Sequence, residues 1–173
     1  MNAAPPPSAR AILHLDLDTF FVSVERLMDS RLMHQPILIG GTGDRGVVAA
    51  CSYETRAFGV HSGMPMRQAR LMCPEALVIR GNSMNYMKQS RAVTEIIQEA
   101  VPVCEKTSID EFYADLSGMD RFYGCWDFSR ELRQKVIRET GLPISFGLST
   151  SKTVSKVATG EAKPSGNIRV DSG

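Results

Sequence analysis

No stretch of this 173-residue chain approaches the roughly 20 consecutive apolar residues that a bilayer crossing needs, so a membrane partner is not expected. The four cysteines, Cys51, Cys73, Cys104 and Cys125, form no C-x-x-C pair. That removes support for zinc-ribbon and thioredoxin chemistry and leaves reduced, partly buried thiols as the expectation. Residues 1–10 are rich in Ala and Pro but lack the basic start and apolar core of a signal peptide. They are read as a flexible leader, and the compartment as cytoplasmic. An excess of one charge is also missing: a net charge of +1 says nothing of partners, because a basic nucleic-acid face and an acidic metal site cancel. Gly40, Gly41, Gly43 and Gly46 are followed by no G-K-[ST] and fit no dinucleotide fingerprint, which makes them a hairpin turn rather than a phosphate loop. There is no internal repeat or low-complexity tract.

What is present is globular usage, 43% hydrophobic and 23% charged, in a chain long enough to bury roughly 70% of its unfolded surface. Ala11 to Asp18 alternates, with Leu13, Leu15 and Leu17 on one face and Ile12, His14, Asp16 and Asp18 on the other. This predicts a half-buried strand with carboxylates on its polar face. From Thr19 the period becomes helical. Strands are expected at 36–40, from Val47 through Ala50, and at 77–80, 104–106, 111–116 and 144–148. Helices are expected at 52–58, 66–72, from Asn82 or Ser83 to about Ala100 with Pro102 as its stop, and at 128–140 and 151–161. The long helix presents a stripe of Met87, Val93, Ile96, Ile97 and Ala100. The fold class is α/β (α+β): a mixed or antiparallel sheet with helices on one face, completed by the first strand, with residues 20–81 inserted as a smaller lobe.

Asp110 and Glu111 are adjacent, and adjacent strand residues point to opposite faces. Both serve one site only in a turn or at the distorted start of a strand, and Lys106, Thr107 and Ser108 before them suit a turn. If that turn lies beside the first strand, Asp16, Asp18, Asp110 and Glu111 crowd together, which cations must neutralise. Oxygen donors select Mg²⁺ or Mn²⁺ over zinc. Two such ions about 3.5–4 Å apart serve phosphoryl transfer. Solvated carboxylates on the outer face of an edge strand are the alternative, and spacing does not choose between them. Tyr53 and Arg56 share a helix face suited to phosphate, although Arg56 and Lys163 also read as ordinary surface cations. Lys152 and Lys156 form a basic helix face, for DNA phosphate or for solvent.

His14-Leu15-Asp16-Leu17-Asp18-Thr19-Phe20-Phe21 resembles the opening motif of the Y-family translesion DNA polymerases. Ser108-Ile109-Asp110-Glu111 is similar to their second catalytic motif, and the segment Ala50-Cys51-Ser52-Tyr53-Glu54-Thr55-Arg56-Ala57-Phe58-Gly59-Val60 to their nucleotide-binding segment. Lys163-Pro164-Ser165-Gly166 resembles the turn near the end of their palm. The four motifs occur in the family's order over Ala11 to Val170, in the pattern of its bacterial DNA polymerase IV type.

The resemblance implies palm at 11–19 and 82–173, fingers at 20–81, and thumb and little-finger domains absent from these residues. It implies template-directed, error-prone synthesis with two Mg²⁺ ions, Mn²⁺ being a substitute. Asp16 and Asp110 would bridge the ions, Glu111 would ligate the catalytic one, and the Leu17 carbonyl would complete the other. Asp18 would support rather than ligate. Phe20 and Phe21 would meet the nucleotide, with Phe21 the steric gate against a 2′-hydroxyl; a core phenylalanine is the plain reading of either. Tyr53, Arg56 and Lys163 would hold the triphosphate. The implied partners are primer–template DNA and a deoxynucleoside triphosphate. A sliding clamp is expected only of the full-length family member. Ala50 stands where relatives place a hydroxyl residue and Gly160 where aspartate is common. A non-catalytic repair scaffold and a nucleotide cyclase are the competing classes. The first usually loses the acidic motif, and the second leaves Phe21, Tyr53, Arg56 and Lys163-Pro164 unexplained.

Overall fold

Alternating apolar residues make Ile12–Leu17 a strand, β1, and it lies at the centre of a five-stranded sheet. The computed structural model describes residues 10–101, 103–119 and 124–170. Nine of the ten leader residues and the proposed helix stop at Pro102 lie outside them. The chain divides into two compact units, 1–18 with 89–173, and 19–88.

The first unit carries β5 (Cys104–Ser108), β6 (Glu111–Asp115), β7 (Ile144–Ser149) and β8 (Asn167–Arg169), in the order β5-β6-β1-β7-β8. All pairings are antiparallel except β7 with β8. β8 has three residues and no alternation of its own, so the sequence gives no sign of it; its pairing with Phe146, Gly147 and Leu148 creates the strand.

Two expectations are corrected here. β1 is not half-buried: Ile12 and His14 are as buried as Leu13, Leu15 and Leu17. Nor are the helices confined to one face. Helix α5 (Cys125–Thr140) sets Trp126 edge-on against Phe146, the cross-strand partner of Leu15. Helix α6 (Lys152–Ala162) covers the opposite face, where Thr159 meets His14. A central strand between two helical layers buries both faces, which alternation alone does not reveal. Close approach of α6 depends on Gly147: a Cβ there would lie 2.2 Å from the Ser155 carbonyl oxygen. Ser151 caps α6, its hydroxyl accepting from the Val154 amide at 3.2 Å. Helix α5 begins three residues before the expected Phe128, since Gly124 offers no capping side chain to mark its start.

In the 19–88 unit, β2 (Ile37–Gly40) pairs antiparallel with β3 (Val48–Cys51), the expected hairpin, and parallel with β4 (Leu77–Ile79). Helix α1 (Phe20–Met28) follows Thr19, whose left-handed backbone (φ 37°) turns the chain abruptly. Helices α2 (Tyr53–Arg56) and α3 (Met66–Met72) follow. Leu38, Val48, Val60, Met66 and Ala69 form the core with Cys51 and Cys73. None of the four cysteines is in a disulfide, and three are buried. Helix α4 (Ser83–Ala100) carries residues of both units, and the Asn82 side chain accepts from the Met84 and Asn85 amides. Its expected stripe is corrected at one end: Met87 is exposed, whereas Tyr86 is buried against Phe20 and Phe21. That packing assigns the first turns of α4 to the smaller unit.

Candidate metal centre

The register of β1 with β6 sets Asp16 opposite Glu111 and His14 opposite Tyr113, so all four side chains stand on one sheet face. Asp110 occupies the turn before β6. Its carbonyl accepts from the Leu17 amide at 3.0 Å, and the carbonyl of Ile109 accepts from the Ser90 hydroxyl at 2.5 Å. The β5–β6 pairing is irregular between Lys106 and Ser108. Asp110 lies in the turn and Glu111 opens β6, so strand alternation does not govern the pair.

Among the described residues, His14, Asp16 and Glu111 offer ligand atoms that all lie within 4.8 Å of one another. The Asp110 carboxylate turns instead to the Ser108 hydroxyl, which donates to Oδ1 at 2.9 Å. Cations border the group: Lys163 Nζ is 3.2 Å from Asp16 Oδ1, and Lys156 Nζ is 3.2 Å from Glu111 Oε1. Lys163 thus stands beside a carboxylate, and Lys156 of the basic α6 face pairs with Glu111. Lys152 instead pairs with Glu105 at 2.5 Å, on an exposed surface.

Burial pushes the Asp16 carboxyl up to about 6; Lys163 opposes this, while the charges of Asp110 and Glu111 add to it. Partial burial raises Glu111 as well, but His14 and Lys156 outweigh it and hold that carboxyl below its usual value. Burial likewise lowers the imidazole of His14 against the pull of Glu111. An acid held this high among other acids is relieved by a cation, so oxygen-rich Asp16 and Glu111, with Asp110 in the adjoining turn, fit a divalent metal.

His14 is the residue that sequence reasoning passed over. It was placed on the polar face of the strand and given no role. Its Nδ1 lies 2.6 Å from the Thr159 hydroxyl, and its Nε2 lies 3.0 Å from Glu111 Oε1. The second approach pairs the imidazole with the carboxylate and helps hold Glu111 below its usual value. The available signal was its position two residues before Asp16 on the same strand face.

Asp18 is buried and fully engaged. Ser145 donates to Oδ1 at 2.8 Å and the Ser165 amide donates to Oδ2. Arg133 of α5 reaches the same Ser165, whose peptide neighbour Lys163-Pro164 is cis. Asp18 therefore anchors the loop that carries Lys163.

In the 19–88 unit, Phe20 is buried and Phe21 is half-buried, its ring 4.4 Å from that of Tyr86. The Arg56 guanidinium lies 5.0 Å above the Tyr53 ring and is otherwise exposed, which keeps a phosphate-competent cation available.

The impB/mucB/samB family model matches residues 15–160. A protein named DNA polymerase IV from Treponema denticola is 40% identical over 165 residues, covering 95% of this chain and 42% of the relative. DNA polymerase IV 2 of Mesorhizobium japonicum is 44% identical over 163 residues, covering 94% and 38%. The chain thus spans about two fifths of the length of these curated relatives. The crystal structure of DinB from Sulfolobus solfataricus superposes with a TM-score of 0.88 at 24% identity, covering 93% of this chain and 48% of that one. An insertion ternary complex of Dbh DNA polymerase gives 0.86 at 23%, with 92% and 48% covered. These two likenesses are of fold.

Proposed function

The chain belongs to the impB/mucB/samB family, the domain of Y-family polymerases, and from that premise we propose that it is the catalytic core of an error-prone, template-directed DNA polymerase. Its reaction is nucleotidyl transfer from a deoxynucleoside triphosphate to a primer 3′-hydroxyl. The observation that carries this reading is the meeting of Asp16 and Glu111 across β1 and β6, with the Asp110 turn tied to Leu17.

The carboxylates of Asp16, Asp110 and Glu111 and the carbonyl of Leu17 would hold two Mg²⁺ ions, for which Mn²⁺ can substitute. When bound, the ions supply Lewis-acid polarisation of the phosphate and acidify the attacking hydroxyl. Lys163, already beside Asp16, supplies fixed positive charge for the triphosphate. Tyr53 and Arg56 bind that triphosphate, Arg56 through its planar fork. Phe20 backs Phe21, whose ring excludes a 2′-hydroxyl. The assignment of 11–19 with 82–173 as palm and 20–81 as fingers belongs to this reading, as do primer–template DNA as partner and a cytoplasmic location. No described helix is long and apolar enough to cross a membrane.

Primer extension with Mg²⁺ tests the proposal, comparing this chain and the longest product of its gene with their Asp110→Ala variants. Activity in the long form should fall by at least roughly 10³-fold in the variant, the scale of losing a principal electrostatic stabiliser, while the circular dichroism stays unchanged. Full activity in Asp110→Ala would remove the assignment, and inactivity of both parent forms would favour a scaffold.

A further inference from the structure

We propose that Ser90 and Lys106 are positioning residues, a hydrogen-bonded latch that fixes the direction in which the β5–β6 turn presents Asp110. The inference deepens the function proposed above and rests on it for what Asp110 does once it is held.

Asp110 lies between two anchored peptide groups. β5 and β6 pair at Ser108 and Glu111, which leaves Ile109 and Asp110 as the turn between them. The Ile109 carbonyl accepts from the Ser90 hydroxyl of α4 at 2.5 Å, and the Asp110 carbonyl accepts from the Leu17 amide of β1 at 3.0 Å. Among the described residues no backbone amide takes the place of Ser90 at the Ile109 carbonyl. Each peptide unit is planar, so anchoring the one before Asp110 and the one after it restrains both of its backbone dihedrals, and with them the direction of its Cα–Cβ bond. The side-chain torsions remain, and there the Ser108 hydroxyl donates to Oδ1 at 2.9 Å.

Hydroxyls on helices tend to turn back onto their own backbone. Thr94, Ser129 and Thr140 do so, each donating to the carbonyl four residues earlier at 2.6–2.7 Å. Ser90, buried at 2% exposure, donates to Ile109 instead. Lys106 of β5 accounts for the exception. An ammonium has donors and no acceptor, and Lys106 Nζ lies 2.8 Å from the Ser90 hydroxyl and 3.0 Å from that of Thr94. Ser90 must accept from it, which leaves the one Ser90 proton for the Ile109 carbonyl. The ammonium is steadied by the ring of buried Phe112, the cross-strand partner of Lys106, 5.7 Å from the ring centroid. Lys106 therefore acts on Asp110 through Ser90.

Amide hydrogen exchange of the chain in chelator tests the latch without metal or catalysis. Ser90→Ala should speed exchange at the Leu17 amide by roughly tenfold, the scale of one hydrogen bond, relative to the neighbouring Asp18 amide, which the Pro143 carbonyl holds instead. Lys106→Met, at an exposed position, should move the same ratio in the same direction, and the double variant should do no more than Ser90→Ala alone. Ser129→Ala removes a buried hydroxyl of the same unit and should leave the ratio unchanged. By calorimetry, Mg²⁺ should bind Ser90→Ala about 10–100-fold more weakly, the range for residues that orient metal ligands, while in the longest product of the gene KM for the triphosphate stays unchanged. A ratio that does not move in Ser90→Ala overturns the proposal, as does one that moves equally in Ser129→Ala or a Mg²⁺ affinity indifferent to Ser90→Ala. Should Ser90→Ala not fold, an unmoved ratio in Lys106→Met overturns it. A wild-type chain in which the ratio responds as stated, but whose long form extends no primer, overturns the polymerase reading alone.

Discussion

In the five-stranded unit the candidate ligands stand on paired strands. Asp16 has a strand on each side, Glu111 opens β6, and lysines and a histidine meet their carboxylates at 3.0–3.2 Å. In the 19–88 unit, Tyr53 and Arg56 stand on a four-residue helix and are held to each other by a ring contact, while Phe21 leans on Tyr86. One region fixes charges at the cost of burying them. The other leaves Arg56 exposed and Phe21 half-buried. On the proposed function, chemistry that depends on fixed charge belongs on the first, and recognition of a variable substrate on the second.

Four comparisons, made with five variants, break or sharpen that contrast, from the largest effect to the smallest. Gly147→Ala drives a Cβ to 2.2 Å from the Ser155 carbonyl and 2.7 Å from the Thr159 amide nitrogen, both backbone atoms of α6. It should cost about 3 kcal/mol in urea unfolding, the upper range for overpacking. Gly160→Ala in the same helix meets nothing within 4 Å and should instead stabilise by up to about 1 kcal/mol. Equal effects would show that α6 does not seat on Gly147.

Asp16→Asn tests the strain of buried charge. A carboxyl raised to about 6 contributes stability below its unfolded value of 3.8, and that contribution is lost as pH rises through 6. In chelator above that pH the wild-type protein carries a penalty of up to about 3 kcal/mol, at 1.36 kcal/mol for each unit. Asp16→Asn should therefore melt higher than wild type at pH 7.5, with the gap closing toward pH 4. A gap independent of pH would mean that the Asp16 charge is not what strains the site.

Arg56→Ala should raise the KM for the incoming triphosphate by roughly tenfold, the low end for a charged hydrogen bond, and leave the melting temperature unchanged because Arg56 is exposed. A fall in DNA affinity alone would reassign it. Phe21→Ala should have the mildest effect on deoxynucleotide incorporation while raising ribonucleotide incorporation. Unchanged sugar selection would move the gate elsewhere.

The contrast also separates what was legible in the residues from what was not. Local rules suffice where a signal is short-range: the Met66–Met72 helix, the glycine turn between β2 and β3 and the Asn82 cap all follow from period and turn chemistry. Asp16, Asp110 and Glu111 stood out as carboxylates on a strand and in a turn. β8, the burial of both faces of β1 and the exposure of Met87 did not, since each depends on which element packs alongside.

By itself, then, the sequence determined the identities and periodicities: an alternating strand bearing acids, a turn bearing two more, and the order of helices and strands between them. Tertiary structure alone decided that His14 faces Glu111 across β1 and β6, that Lys163 returns to Asp16 from the other end of the unit, and that Asp18 anchors the loop between them. Those pairs are separated by 97, 147 and 147 residues along the chain. No local periodicity reports such distances; strand register and the covering helix bring them together.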